Sequence, residues 1–148
     1  MKLLIINGPN INFLGIREPA IYGSTTYKDL CGMLEGWCAD AGASCELFQS
    51  NHEGAIVDRI QQAWFDGVDG IVMNPAAYTH TSVAILDALK ATAIPTVEVH
   101  ISDVSTREAF RHHSYVSLAA KHTIIGHGID GYREGIEWLA RELRAGTL

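Results

Sequence analysis

Apolar runs of four or five residues alternate along this chain with longer stretches whose apolar residues recur at helical spacing. Leu3-Leu4-Ile5-Ile6 and Gly70-Ile71-Val72-Met73 show no polar alternation, so they read as strands buried on both faces. Cys45 to Phe48, Pro95 to Val99 (ending at His100) and His122 to Gly126 complete a set of five. Between them, Thr25 to Ala41 carries Leu30, Met33, Leu34, Trp37 and Cys38 at helical spacing, with Gly42 as its stop. Ile56 to Phe65 turns Ile56, Ile60 and Ala63 inward. A third helix contains Val83, Leu86, Asp87 and Leu89, and Gly131 to Leu143 closes the chain with Tyr132, Ile136, Leu139 and Leu143 on one side.

Strands joined through helices pair in parallel by right-handed crossovers. The expected fold class is therefore α/β: a flavodoxin-like five-stranded parallel sheet in the order 2-1-3-4-5, helices on both faces, forming one domain over residues 1–148. The net charge of −6 argues against a nucleic-acid surface. Four apolar residues before Asn7-Gly8-Pro9 are too few for a signal peptide, and no later run approaches a membrane span. Cys31, Cys38 and Cys45 lack CxxC spacing and read as packing thiols, which fits a reducing cytoplasm.

In sheets of this kind ligands sit beyond the carboxyl ends of the strands, where the strand order reverses. The loops after the first, third and fourth strands should converge there. The first, Gly8 to Gly23, is about sixteen residues long, and loops of that length are usually functional or disordered. Ile11, Phe13, Leu14 and Ile21 are available to pin it, so it reads as an active-site loop. The convergent polar residues are Asn10, Asn12, Arg17 and Tyr22, then Asn74 and His80, then His100, Ser102, Arg107 and Arg111.

Four groupings carry possible chemistry. A free tyrosine titrates near 10, and a guanidinium close to it favours phenolate, so Arg17 and Tyr22 can make a base; they can equally be a stacked pair that orders the loop. Glu98 and His100, two apart on a strand, share a face, and a carboxylate beside imidazole favours the imidazolium, a general acid; an incidental pair at a strand end is the other reading. His80, before a helix, can donate to a substrate hydroxyl, while Thr79 or Thr81 caps that helix. Ser102 with the backbone after His100 can form an anion nest complemented by Arg107 or Arg111, unless those arginines merely pair with Glu108 and Asp103. His112 and His113 read as solvated or structural. No metal-ligand cluster, P-loop or dinucleotide fingerprint is present, and no lysine falls in the three loops.

Taken together, GPNINFLGIREPAIYG, QSNHEG, NPAAYTHTS with Asp87 seven residues after His80, and EVHISDVSTREAFRHHS resemble the type II 3-dehydroquinate dehydratases, and GHGIDGY extends the likeness to Tyr132. The resemblance implies loss of water from 3-dehydroquinate to give 3-dehydroshikimate through an enolate, with no cofactor, a step common to aromatic biosynthesis and quinate breakdown. It casts Tyr22 as base, Arg17 as its activator, His100 oriented by Glu98 as acid, and Asn10 as holder of a water against the enolate oxygen. Asn74, the Ile101 backbone and Ser102 would bind carboxylate and hydroxyl, and His80 and Arg111 the ring hydroxyls. Asp87 would reach a neighbouring subunit's site in a dodecamer of trimers. Two positions depart from the family pattern: Asp103 where Asn is usual after the Ile-Ser pair, and Ala76 where Gly is usual. Asp103 near an anionic substrate would weaken binding or change preference, and Ala76 would be strained if its backbone needs positive φ. A catalytically weakened or substrate-altered relative binding a quinate-like acid is the competing expectation.

Overall fold

The computed structural model describes all 148 residues. Five strands, β1 (Lys2–Asn7), β2 (Ser44–Gln49), β3 (Gly70–Asn74), β4 (Thr96–His100) and β5 (His122–Ile125), form one parallel sheet in the order β2-β1-β3-β4-β5. The helices are α1 (Pro19–Tyr22), α2 (Tyr27–Asp40), α3 (Glu53–Phe65), α4 (Val83–Thr92) and α5 (Asp130–Ala145). The expected order and pairing are those observed.

The two-residue period of a strand divides the apolar runs between two cores. Leu3, Ile5, Val72, Val97 and Val99 face α2 and α5, where they meet Leu30, Leu34, Tyr132, Ile136 and Leu139. Leu4, Ile6, Ile71 and Met73 face α3 and α4, against Ile56, Ile60, Ala63, Ile85 and Leu89. Each large aliphatic side chain so buried contributes about 1.5–3 kcal/mol. Gly70 lies close beneath α5: a Cβ there would fall 2.7 Å from Leu139 Cδ2, so the leucine would have to shift to admit it. α2 begins at a capping box between Thr26 and Asp29 and ends at Gly42, whose φ is +74°. Met33 lies on its outer side, 40% exposed, rather than in the core its spacing suggested.

Differences from the sequence reading concentrate in the loops. Residues 8–23 hold a 3₁₀ turn at Ile11–Phe13 and the short α1. Ile11 and Leu14, three apart, pin the segment into the core, whereas Phe13 and Ile21 point outward. Glu53 and Gly54 belong to α3 rather than to the polar turn before it. The cap of α4 is neither Thr79 nor Thr81: a 3₁₀ turn at Ala76–His80 delays the helix, and Ser82 Oγ accepts from the Ile85 N–H at 2.9 Å.

One seam fixes the first loop against the third strand. The Gly8 N–H donates to the Asn74 carbonyl at 2.8 Å, and a Cβ on Gly8 would lie 2.4 Å from the Pro75 carbonyl oxygen. Only glycine permits that approach. Beside it, Ala76 sits at φ +52°, with its N–H held by Asn74 Oδ1 at 3.0 Å. A non-glycine residue in that region costs about 1 kcal/mol or more. Ala76→Gly is therefore expected to raise the melting temperature by about 2–4 °C, an upper figure because glycine also loses more chain entropy on folding. Calorimetry showing a lower melting temperature would contradict the strain argument.

Candidate active site

The loops after β1, β3 and β4 meet, as the topology requires, around a cavity of about 170 Å³. Asn10, Arg17 and Tyr22 reach it from the first loop, Asn74 and His80 from the second, and His100, Ile101, Ser102 and Arg111 from the third. Glu98 lies behind His100 and is fully buried, one register step down β4. Asp87 is not part of this wall; it is exposed on the outer side of α4.

Tyr22 is held by two arginines. Arg17 Nη2 donates to the phenolic oxygen at 3.1 Å, and its guanidinium carbon lies 4.3 Å from the ring centre. Arg107 Nη1 donates to the same oxygen at 2.9 Å from across the cavity. Arg17 thus makes both the hydrogen bond and the stacking contact left open by its spacing. Arg107, which the sequence offered as an anion partner, is committed to Tyr22. No sequence signal links residues 85 apart. Both donors are cations, so both are charge-assisted hydrogen bonds.

Glu98 and His100 share a face of β4, and Glu98 Oε2 accepts from His100 Nε2 at 2.6 Å. That leaves Nδ1 as the ring nitrogen for the cavity. Thr79 Oγ1 and Ser114 Oγ also donate to Oε2, each at 2.7 Å. Burial is the largest single influence on Glu98 and works to raise it. The hydrogen bond and charge of His100, with the Ser114 and Thr79 hydroxyls, outweigh burial and hold the carboxyl below the usual range.

His80 is fixed from behind by a backbone carbonyl of the excursion after β4. Its Nδ1 lies 2.7 Å from the His113 carbonyl, and because a carbonyl only accepts, Nδ1 carries the proton. Burial, the main cause, pushes the imidazole below its ordinary value despite that bond. Neutral His80 therefore presents Nε2 to the cavity as an acceptor, the reverse of the donor expected from sequence.

Asn74 is oriented from below. Its Nδ2 donates to the Tyr132 hydroxyl at 2.9 Å, and that hydroxyl donates to Asn7 Oδ1 at 2.6 Å. Burial pushes the Tyr132 phenol up, which keeps it neutral and able to play both parts. Tyr132 looked like a core residue by spacing, and it is one; its hydroxyl is the part that spacing could not interpret. Arg111 Nε donates to Glu108 Oε2 at 2.7 Å, leaving its terminal nitrogens to the cavity. Asp103 does not line the cavity. Its Oδ1 accepts from the Ser105 N–H at 3.0 Å and from Ser105 Oγ at 2.5 Å, capping the turn Val104–Thr106.

Residues 1–140 match the family model described as dehydroquinase class II. A catabolic 3-dehydroquinase of Aspergillus clavatus is 56% identical over 139 residues, covering 94% of this chain and 92% of its own. A 3-dehydroquinate dehydratase of Janthinobacterium sp. is 52% identical over 142 residues, covering 96% and 98%. The crystal structure of a type II dehydroquinase from Butyrivibrio crossotus superposes with a TM-score of 0.92 at 52% identity, covering 94% of this chain and 97% of that one. With its sheet order, its cavity and this likeness along nearly its whole length, the chain belongs to the class II dehydroquinase family.

Proposed function

We propose that this protein removes water from 3-dehydroquinate to give 3-dehydroshikimate, with side chains supplying both base and acid. One observation carries the reading: a tyrosine oxygen bonded by two guanidinium groups shares a cavity with a histidine backed by a buried carboxylate. The names of the relatives agree with it. Removing a proton α to a ketone requires a strong base, and Tyr22 as phenolate, stabilised by Arg17 and Arg107, is placed to be one. The C–H bond breaks toward the Tyr22 oxygen and an enolate forms. Asn10 holds a water against the enolate oxygen. The β-hydroxyl then leaves with a proton from His100 Nδ1, so the C–O bond breaks and the leaving group is water. Solvent exchange returns the proton from Tyr22 to His100.

Asn74, the Ile101 peptide and Ser102 bind the substrate carboxylate and a hydroxyl, Arg111 donates to a ring hydroxyl, and His80 accepts from another. Asp103 is engaged with Ser105 and does not line the cavity, which argues against it as a cause of weakened or altered substrate binding. Asp87 and Val83 stand four apart on one uncovered side of α4. That exposure supports Asp87 reaching a neighbouring subunit's site in a trimer, four trimers making a dodecamer.

The decisive test follows the conjugated enone product by its ultraviolet absorbance. Tyr22→Phe is expected to lower kcat by about 10²–10⁴-fold, and Arg107→Gln by about tenfold or more, with smaller changes in KM. Rapid turnover in Tyr22→Phe would refute the choice of base. Neutral His80 predicts a KM that stays flat from neutral pH down through 6.5, where an ordinary imidazole protonates, and rises only below it. A KM that instead falls as pH is lowered through 6.5 would show that His80 binds as a cation. For Asp87, sedimentation should give twelve chains, with Asp87→Ala keeping that size and losing activity; a monomer with full activity would sink the shared-site assignment.

A further inference from the structure

The mechanism above makes no use of Thr79 or Ser114, yet both hydroxyls converge on one carboxylate oxygen. Glu98 Oε2 receives His100 Nε2 at 2.6 Å and the two hydroxyls at 2.7 Å each. Its other oxygen, Oε1, has one long contact, 3.4 Å to Thr123 Oγ1. Thr79 comes from the turn after β3 and Ser114 from the long excursion after β4, so their meeting is a product of the tertiary fold. Thr79 is fully buried.

A buried imidazolium and carboxylate at this separation can exist as an ion pair, or as a neutral pair after the proton crosses to the carboxylate. Burial favours the neutral pair, because removing charge from water is costly. In the neutral pair the remaining Nδ1–H belongs to an uncharged imidazole, which is far too weak an acid to protonate a leaving hydroxyl. Hydroxyl donors reverse the balance, since they bond an ionised oxygen more strongly than a protonated one. The other titratable groups that share the cavity with His100 are His80, Tyr22, Arg17, Arg107 and Arg111. β5 presents the uncharged Thr123, and the α4 residues against the sheet, Ile85, Ala88 and Leu89, are apolar.

We propose that Thr79 and Ser114 are positioning residues that hold Glu98 as a carboxylate and thereby keep the transferable proton on His100. This rests on His100 being the acid.

The proton count gives the proposal a distinctive signature. The two hydroxyl oxygens are also 2.7 Å apart, and Ser114 Oγ accepts from the Ser117 N–H at 3.1 Å. Three oxygen–oxygen contacts share two hydroxyl protons. Losing either hydroxyl frees the other to donate to Glu98 alone, so each single variant keeps one donor and the double variant keeps none. The effects should therefore multiply to less than the loss in the double variant.

The experiment measures kcat and KM against pH for Thr79→Val, Ser114→Ala and the double variant, with Thr79→Ser, His100→Gln and Glu98→Gln as references. The double variant is expected to lose about tenfold in kcat at neutral pH with KM little changed. It should recover part of that loss as pH falls and the pair takes up a second proton, leaving His100 charged beside a neutral Glu98. Thr79→Ser should restore the wild-type profile. Nitrogen-15 NMR of the histidines should show imidazolium at His100 in the wild type and the neutral ring in the double variant. A double variant with the wild-type pH profile and ring signal overturns the proposal, as does a loss confined to KM. If Thr79→Val fails to fold, Thr79→Cys, a poorer donor of similar size, replaces it in the double variant under the same criteria. If His100→Gln itself keeps wild-type kcat, the acid assignment has failed, a result independent of any Thr79 or Ser114 variant.

Discussion

A carboxylate with no exposed surface, set into the fourth strand of the sheet, organises this molecule's functional end. An unpartnered buried charge is intolerable, and Glu98 is partnered from four directions: its own strand through His100, the turn after β3, the excursion after β4, and β5. Each partner ties a different segment to the strand that carries the carboxylate. The turn Ala76–His80 is held at Thr79 and the excursion at Ser114. His80 and Arg111, which flank those anchors, are thereby carried to the cavity wall. The electrostatic need of one side chain and the geometry of the cavity wall are met by the same contacts.

The backbone supplies the complementary constraint on the other side of the cavity. Gly8 lies against Pro75 so closely that no side chain fits between them, and Ala76 accepts a left-handed conformation immediately after. Asn74, at the end of β3, bridges these features: its carbonyl takes the Gly8 N–H, its Oδ1 takes the Ala76 N–H, and its Nδ2 is directed by Tyr132. Tyr132 lies in the core between α5 and the sheet. The orientation of an amide at the cavity floor is thus set by a hydroxyl buried in the hydrophobic interior, and strain at Ala76 is tolerated because its neighbours over-determine it.

The sheet was legible in the sequence because short apolar runs separated by helices admit few arrangements, and Leu3 to Ile6 with Ile71 to Met73 divide between two faces by parity alone. The local pair Glu98 and His100 was legible for the same reason. Arg107 was not, because its contact with Tyr22 spans 85 residues and depends on where two loops settle. Thr79 was misread as a cap since Ser/Thr before a helix usually caps; the intervening 3₁₀ turn moved that duty to Ser82 and turned Thr79 inward. Asp103 looked like a charge near the substrate, but Asp103-Val104-Ser105 is the pattern of an Asx turn, and the carboxylate closes on its own backbone. Ala76 in place of a glycine marks strain in the sequence only if its φ is positive, and it is.

The two arginines on Tyr22 differ in a way that bears on how the proposed base is formed. Arg17 sits five residues from Tyr22 within the same loop. Arg107 belongs to the excursion after β4, which Glu98 anchors through Ser114. The second guanidinium reaches the phenolic oxygen only when the first loop is seated against that excursion. Seating also encloses the cavity, and exclusion of water strengthens each remaining electrostatic interaction. The proposed base thus draws one cation from its own loop and one from the excursion after β4, and both reach it where the two segments enclose the cavity.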